Sequence, residues 1–114
     1  MKKSTKAREF PQDVRIKIIR RDNGDCIFCK INYHMHSTTQ MGYDIKDIMH
    51  YIPRSRGGLG IEENGAVGCR YHHGLLDNGN KGLHGEMQEI FREYLKDYYP
   101  NWNEEDLIYK KYNF

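Results

Sequence analysis

Residues 49–73 read MHYIPRSRGGLGIEENGAVGCRYHH. Three histidines, a Pro-Arg-Ser-Arg run, paired glycines and one asparagine share this window. Ile45 to Ile52 alternates and is β-prone, so a strand is expected to carry His50. Pro53 and the glycines up to Gly60 turn the next residues into a loop. Glu62-Glu63-Asn64 opens a second ordered stretch that leads into Cys69. His72 to Asp77 is expected to form a short helix, closed by Asn78-Gly79.

The cysteines explain why this window needs a partner upstream. Cys26-Ile-Phe-Cys29 is a C-x2-C pair and Cys69-Arg-Tyr-His72 a C-x2-H pair. Two residues between ligands let both side chains of a tight turn close on one tetrahedral ion. Two such pairs make a four-ligand Cys3His set, the closed arrangement of structural zinc, and all three cysteines of the chain fall into it. The alternative is idle or buried thiols. An apolar share of 38% beside 30% charged residues makes a thin core, for which a metal staple compensates.

Outward from these pairs, Pro11 to Arg21 reads as a helix with Val14, Ile18 and Ile19 as its apolar stripe, ended by Asn23-Gly24. Residues 31 to 43 are polar and are expected to be loop, His34 and His36 included. Leu83 to Tyr98 is the firmest helix, with Met87, Ile90, Phe91, Tyr94 and Leu95 at spacings of three and four. His84 should mark its start near solvent, and Pro100 stops it. Asn103-Glu-Glu-Asp looks like the capped start of a short final helix. Its Trp102, Leu107, Ile108 and Tyr112 are expected to pack on the body.

The 114 residues suit one domain, 1–114. No stretch of about 18 apolar residues predicts a membrane span. MKKSTKAREF is basic without a following apolar run, so no signal peptide is expected and a cytoplasmic location follows. Lys2, Lys3, Lys6, Arg8, Arg15, Lys17, Arg20 and Arg21 crowd the first 21 residues. That asymmetry suits a polyanion, although a solvated arm would look the same.

His73 and Asp77 are four apart, so a helix puts both on one face, where they can share a divalent ion. A strand histidine opposite them could activate water. Together these parts suit metal-assisted phosphodiester hydrolysis. Residues 26–79 resemble the HNH endonucleases, also called ββα-metal or His-Me finger nucleases. The matching residues are CIFC, IMHYIPRSRGGLGIEENGAVGC and CRYHHGLLDNG. They are most similar to the small zinc-knuckle HNH proteins of phages and mobile elements.

The resemblance implies an α+β fold: a small ββα-metal core over about 22–80 with a structural zinc site. The basic arm and helix 1–21 and a C-terminal helical extension, 83–114, flank it. It implies DNA as substrate in the cytoplasm of a bacterial host cell, with phage encoding as the expected origin of the chain. His50 would be the general base, and Asn64 would tie the loop to backbone. His73 and Asp77 would hold a catalytic Mg²⁺ or Mn²⁺. Arg54 and Arg56 suit phosphate contacts, with Arg54 favoured because it follows the rigid Ile-Pro. Cys26, Cys29, Cys69 and His72 would hold zinc. One such site nicks one strand, so a double-strand break calls for a homodimer or another protein, and relatives also act as phage packaging partners.

Met49 departs from the pattern, because many relatives have a metal-binding Asp or His just before the base. A thioether does not hold Mg²⁺. Either the ion keeps only His73 and Asp77 from the protein, or Asp47, on the strand face of Met49, helps, or the site is degenerate. A non-catalytic zinc-stapled DNA-binding module is the alternative function. An adaptor binding protein through its acidic C-terminal helices is the third.

Overall fold

The computed structural model describes residues 7–78 and 82–110. Lys2, Lys3, Lys6, Gly79 and Tyr112 lie outside them. The chain is a small α+β domain with four helices and one two-stranded antiparallel sheet among the described residues. In order these are α1 (Gln12–Asp22), α2 (Met41–Asp44), β1 (Lys46–His50), β2 (Gly65–Cys69), α3 (Arg70–Asn78) and α4 (His84–Tyr98). Single 3₁₀ turns at Cys29–Ile31, Arg54–Arg56, Glu62–Asn64 and Glu104–Leu107 punctuate the loops.

The register pairs Lys46 with Cys69 and His50 with Gly65. β2 therefore delivers Cys69 to one end of the sheet and runs straight into α3. α1 stops where Asn23 turns left-handed at φ 59, and the Gly24 amide donates back to the Ile19 carbonyl.

Two apolar clusters fill the fold. The larger joins Cys26, Phe28, Met49, Met87, Phe91, Leu95 and Leu107 from distant parts of the chain.

 Leu95, also of α4, is fully buried there. The helical extension is thus part of the core. The smaller cluster packs Ile18 of α1 on Ile48 and Val67 of the sheet, with Phe10 and Val14 at its edge. Burying side chains of this size contributes about 1.5–3 kcal/mol each.

Several local expectations differ from the fold. Residues 41–44 of the expected loop are helical. The final helix is one 3₁₀ turn, opened by the Asn103 side chain accepting from the Glu105 amide. Ile19 is largely exposed, since the stripe that meets the sheet runs through Ile18. Arg21 does not join a basic surface. It bonds to Asp22, which is fully buried, to the Glu62 and Gly65 carbonyls and to the Tyr99 hydroxyl. Asp22 in turn accepts from the Val67 amide and the Tyr94 hydroxyl. This pair fastens α1 to β2 and α4. The burial of the guanidinium is offset by the neighbouring carboxylate, which holds its pKa above the ordinary value.

Candidate active site and metal centre

The two knuckles meet. The ligand atoms of Cys26, Cys29, Cys69 and His72 all lie within 4.8 Å of one another, a group able to hold a metal ion. His72 Nδ1 is 3.7, 3.5 and 3.2 Å from the sulfurs of Cys26, Cys29 and Cys69, and the last two sulfurs are 3.8 Å apart. With sulfur about 2.3 Å and nitrogen about 2.0 Å from a central ion, tetrahedral ligands sit roughly 3.5–3.8 Å apart. The spacings, 3.2 to 3.8 Å among these atoms, are compatible with structural zinc. The Tyr33 carbonyl accepts from His72 Nε2–H, which leaves the Nδ1 lone pair for the ion.

The crowding of the three thiols shifts their ionisation in opposite directions. Hydrogen bonding from Cys69, assisted by His72 and opposed by burial, holds the Cys26 thiol down at about 3. Burial and the charge on Cys26 push Cys29 up to about 11. Cys69 moves up as well, through its bond to Cys26 and its burial. By themselves, three sulfurs this close favour a single thiolate; a dication among them lets all three ionise.

A separate cleft of about 590 Å³ opens on the other side of β1. It gathers His50 from β1, Arg54 from the loop, and His73 and Asp77 from α3. Glu9, Phe10, Arg15, Asp47, Ser55 and His84 complete its polar and aromatic lining. His73 Nε2 and Asp77 Oδ2 are 3.1 Å apart, one helical turn along α3. Arg56 is exposed and does not line the cleft.

His50 is half-buried, its ring centroid 4.1 Å from that of Phe10. The Arg8 carbonyl lies 2.8 Å from Nε2. A carbonyl only accepts, so Nε2 carries the proton of the neutral ring and Nδ1 keeps the lone pair. Burial lowers the pKa of His50, with the charges of Arg54 and His73 adding to the effect and the Arg8 carbonyl and Asp47 opposing it.

Asn64 is fully buried and braces this geometry through backbone. Its side chain accepts from the Ile52 amide at 2.8 Å and donates to the Ile52 and Leu59 carbonyls at 3.2 and 2.8 Å. It closes the ends of the loop that carries Arg54. The loop glycines leave no open approach for a ligand backbone at two positions. A Cβ on Gly58 would lie 1.7 Å from the Ile52 carbonyl oxygen, and one on Gly60 2.0 Å from that of Glu9.

Met49 is fully buried in the larger core cluster, with its sulfur in the space a Gly68 Cβ would need. Asp47 does not follow it inward. Its carboxylate accepts from the Ile48 amide and sits 3.7 Å from Arg15, at the rim of the cleft. Among the described residues, no group of three or more His, Cys, Asp or Glu other than the Cys3His cage is close enough to share an ion. His73 and Asp77 therefore stand as a pair. Sequence reasoning did not put Glu9 and His84 in the cleft. His84 is indeed exposed at the start of α4, and its Nδ1–H donates to the Leu76 carbonyl at 2.7 Å.

No family model matches the chain, and no match was found among curated proteins or solved structures. No helix of the described residues is long and apolar enough to cross a membrane.

Proposed function

We propose that the protein is a metal-dependent DNA endonuclease of the HNH type, stapled by zinc at Cys26, Cys29, Cys69 and His72. The observation that carries the reading is the meeting in one cleft of a half-buried histidine, an arginine and a His–Asp pair from three separate segments. In this mechanism His50 Nδ1 takes a proton from water, which attacks the phosphorus of a DNA strand. Arg54 holds the scissile phosphate. His73 and Asp77 would hold Mg²⁺ or Mn²⁺, which would supply positive charge against the negative charge that develops on the phosphate and its leaving 3′ oxygen. The leaving 3′ oxygen takes a proton from solvent, so the products are a 5′-phosphate and a 3′-hydroxyl, and one site makes a nick.

The test is supercoiled plasmid incubated with the purified protein in Mg²⁺, Mn²⁺ or EDTA. Metal-dependent nicked circles are expected. Their absence with a folded, zinc-loaded protein rejects the reading. It then favours the second function, a zinc-stapled DNA-binding module. The buried Met49 and the lack of a third ligand beside His73 and Asp77 are the observations on that side. Binding without cleavage, falling steeply with salt, is its signature.

The pH dependence is a sharper test of the base. Its active form is neutral, and burial keeps His50 neutral below the ordinary histidine value of about 6.5. A cation in the cleft shifts it the same way. The nicking rate should therefore rise with pH on a limb centred below about 6.5 and stay level through neutrality. A limb centred above 7 would assign the base elsewhere.

Glu9 competes with substrate in this scheme. Its Oε1 is 3.5 Å from Arg54 Nη2; Arg54 is exposed and Glu9 half-buried. A phosphate at Arg54 has to displace it. Glu9→Gln is expected to tighten DNA binding about two- to fivefold, with the gain shrinking as salt rises. Weaker binding in a fluorescence-anisotropy titration of that variant would count against Arg54 as the phosphate contact.

A further inference from the structure

We propose that the segment Ala7–Phe10, which lies outside the ββα unit, is the positioning element of the base, and that it fixes the proton of His50 on Nε2. The inference rests on the nuclease reading of the cleft. Three independent contacts hold this strap in place. The Gly60 amide donates to the Ala7 carbonyl at 2.9 Å. Arg8 Nη1 donates to the Arg54 carbonyl at 3.2 Å. The Phe10 ring lies on the His50 ring and also borders the cluster of Ile18, Ile48 and Val67.

The consequence for His50 is chemical. An imidazole free to rotate presents either nitrogen to the cleft. With its Nε2–H bonded to the Arg8 carbonyl at 2.8 Å and one face covered by Phe10, it presents one. The carbonyl also stabilises the imidazolium formed when Nδ1 takes the proton, as a carboxylate does in other histidine bases. The HNH-like window supplies the base, and a segment some forty residues upstream of His50 orients it.

Gly60 offers a way to move the strap without touching His50. Its φ is not in the left-handed region, so alanine fits the backbone there. The new methyl would meet Glu9 and Phe10 backbone, at 2.0 Å from the Glu9 oxygen and 2.7 Å from the Phe10 nitrogen. Gly60→Ala should thus push the strap off the loop. Phe10→Leu is the second variant; it removes the ring from His50 and keeps an apolar side chain at the cluster edge.

The experiment reads the His50 ring by ¹⁵N–¹H correlation in the full-length, zinc-loaded protein, alongside plasmid-nicking kinetics. In the wild type an Nε2-bound proton sheltered from solvent exchange is expected. In Gly60→Ala, with zinc content and melting retained, that proton should exchange freely and kcat should fall about a hundredfold with KM for DNA little changed. Phe10→Leu should move both readouts the same way. An unsheltered Nε2 proton in a wild type that cleaves DNA overturns the proposal alone. A sheltered proton lost in both variants with kcat unchanged overturns it as well. A sheltered proton in a wild type that never cleaves DNA overturns the nuclease reading instead, and with it the strap's catalytic role.

Discussion

Cys26→Ser is expected to yield a protein that neither retains zinc nor melts cooperatively. The thiol is almost fully buried beside Cys69 and His72, in the same cluster as Met87, Phe91 and Leu95. Structural zinc in small domains contributes roughly 10–16 kcal/mol. A domain of this size is stable by about 5–15 kcal/mol in all. Loss of a ligand from a four-ligand cage therefore removes an amount comparable with the whole stability. A serine hydroxyl is a poor substitute, since it does not ionise at neutral pH. Elemental analysis with a thermal melt monitored by circular dichroism checks the outcome. Wild-type protein that is folded, fully active and free of zinc would remove the staple from the account.

His50→Ala should leave that melt nearly intact and abolish cleavage. His50 belongs to neither apolar cluster, and its ring is only half-buried under Phe10. The stability lost is thus small beside that of a core truncation. General-base catalysis contributes about 10²–10⁴-fold, so nicking should fall into that range or out of detection. Zinc content and DNA binding should be unchanged. Cleavage at the wild-type rate would point to another base, and His84, with its Nδ1–H already bonded to Leu76, is the cleft residue to change next.

The cage was legible in the sequence because its information is local. Cys26 and Cys29, and Cys69 and His72, each fit one tight turn, and the pairing of the turns follows from counting ligands. The α4 stripe was legible for the same reason, since Met87, Phe91 and Leu95 keep one helical face buried. Asp22 was missed although a signal existed: it falls one turn after Ile18, on the face of α1 that meets the sheet. Its charge argued for solvent, and its burial rests on the neighbouring Arg21 together with the Val67 amide and the Tyr94 hydroxyl, both far off in sequence. Residues 41–44 have no apolar period to betray a single helical turn. Glu9 and His84 reach the cleft through contacts between segments, which no spacing within either segment records.

The loop that carries Arg54 is held from two directions. On one side the Gly60 amide bonds to Ala7, and on the other the Leu59 amide bonds to Leu107 and the Gly57 carbonyl accepts from Tyr109. These are among the longest closures made by backbone hydrogen bonds in the described residues, and closing long loops early is entropically unfavourable. The knuckles, by contrast, are complete once the chain reaches His72. On a ribosome the cage can assemble while Leu107 and Tyr109 are still unmade. The order of synthesis therefore delays the finished cleft until the rest of the domain is in place, and a chain cut short before Leu107 is left with its staple but without its braced loop.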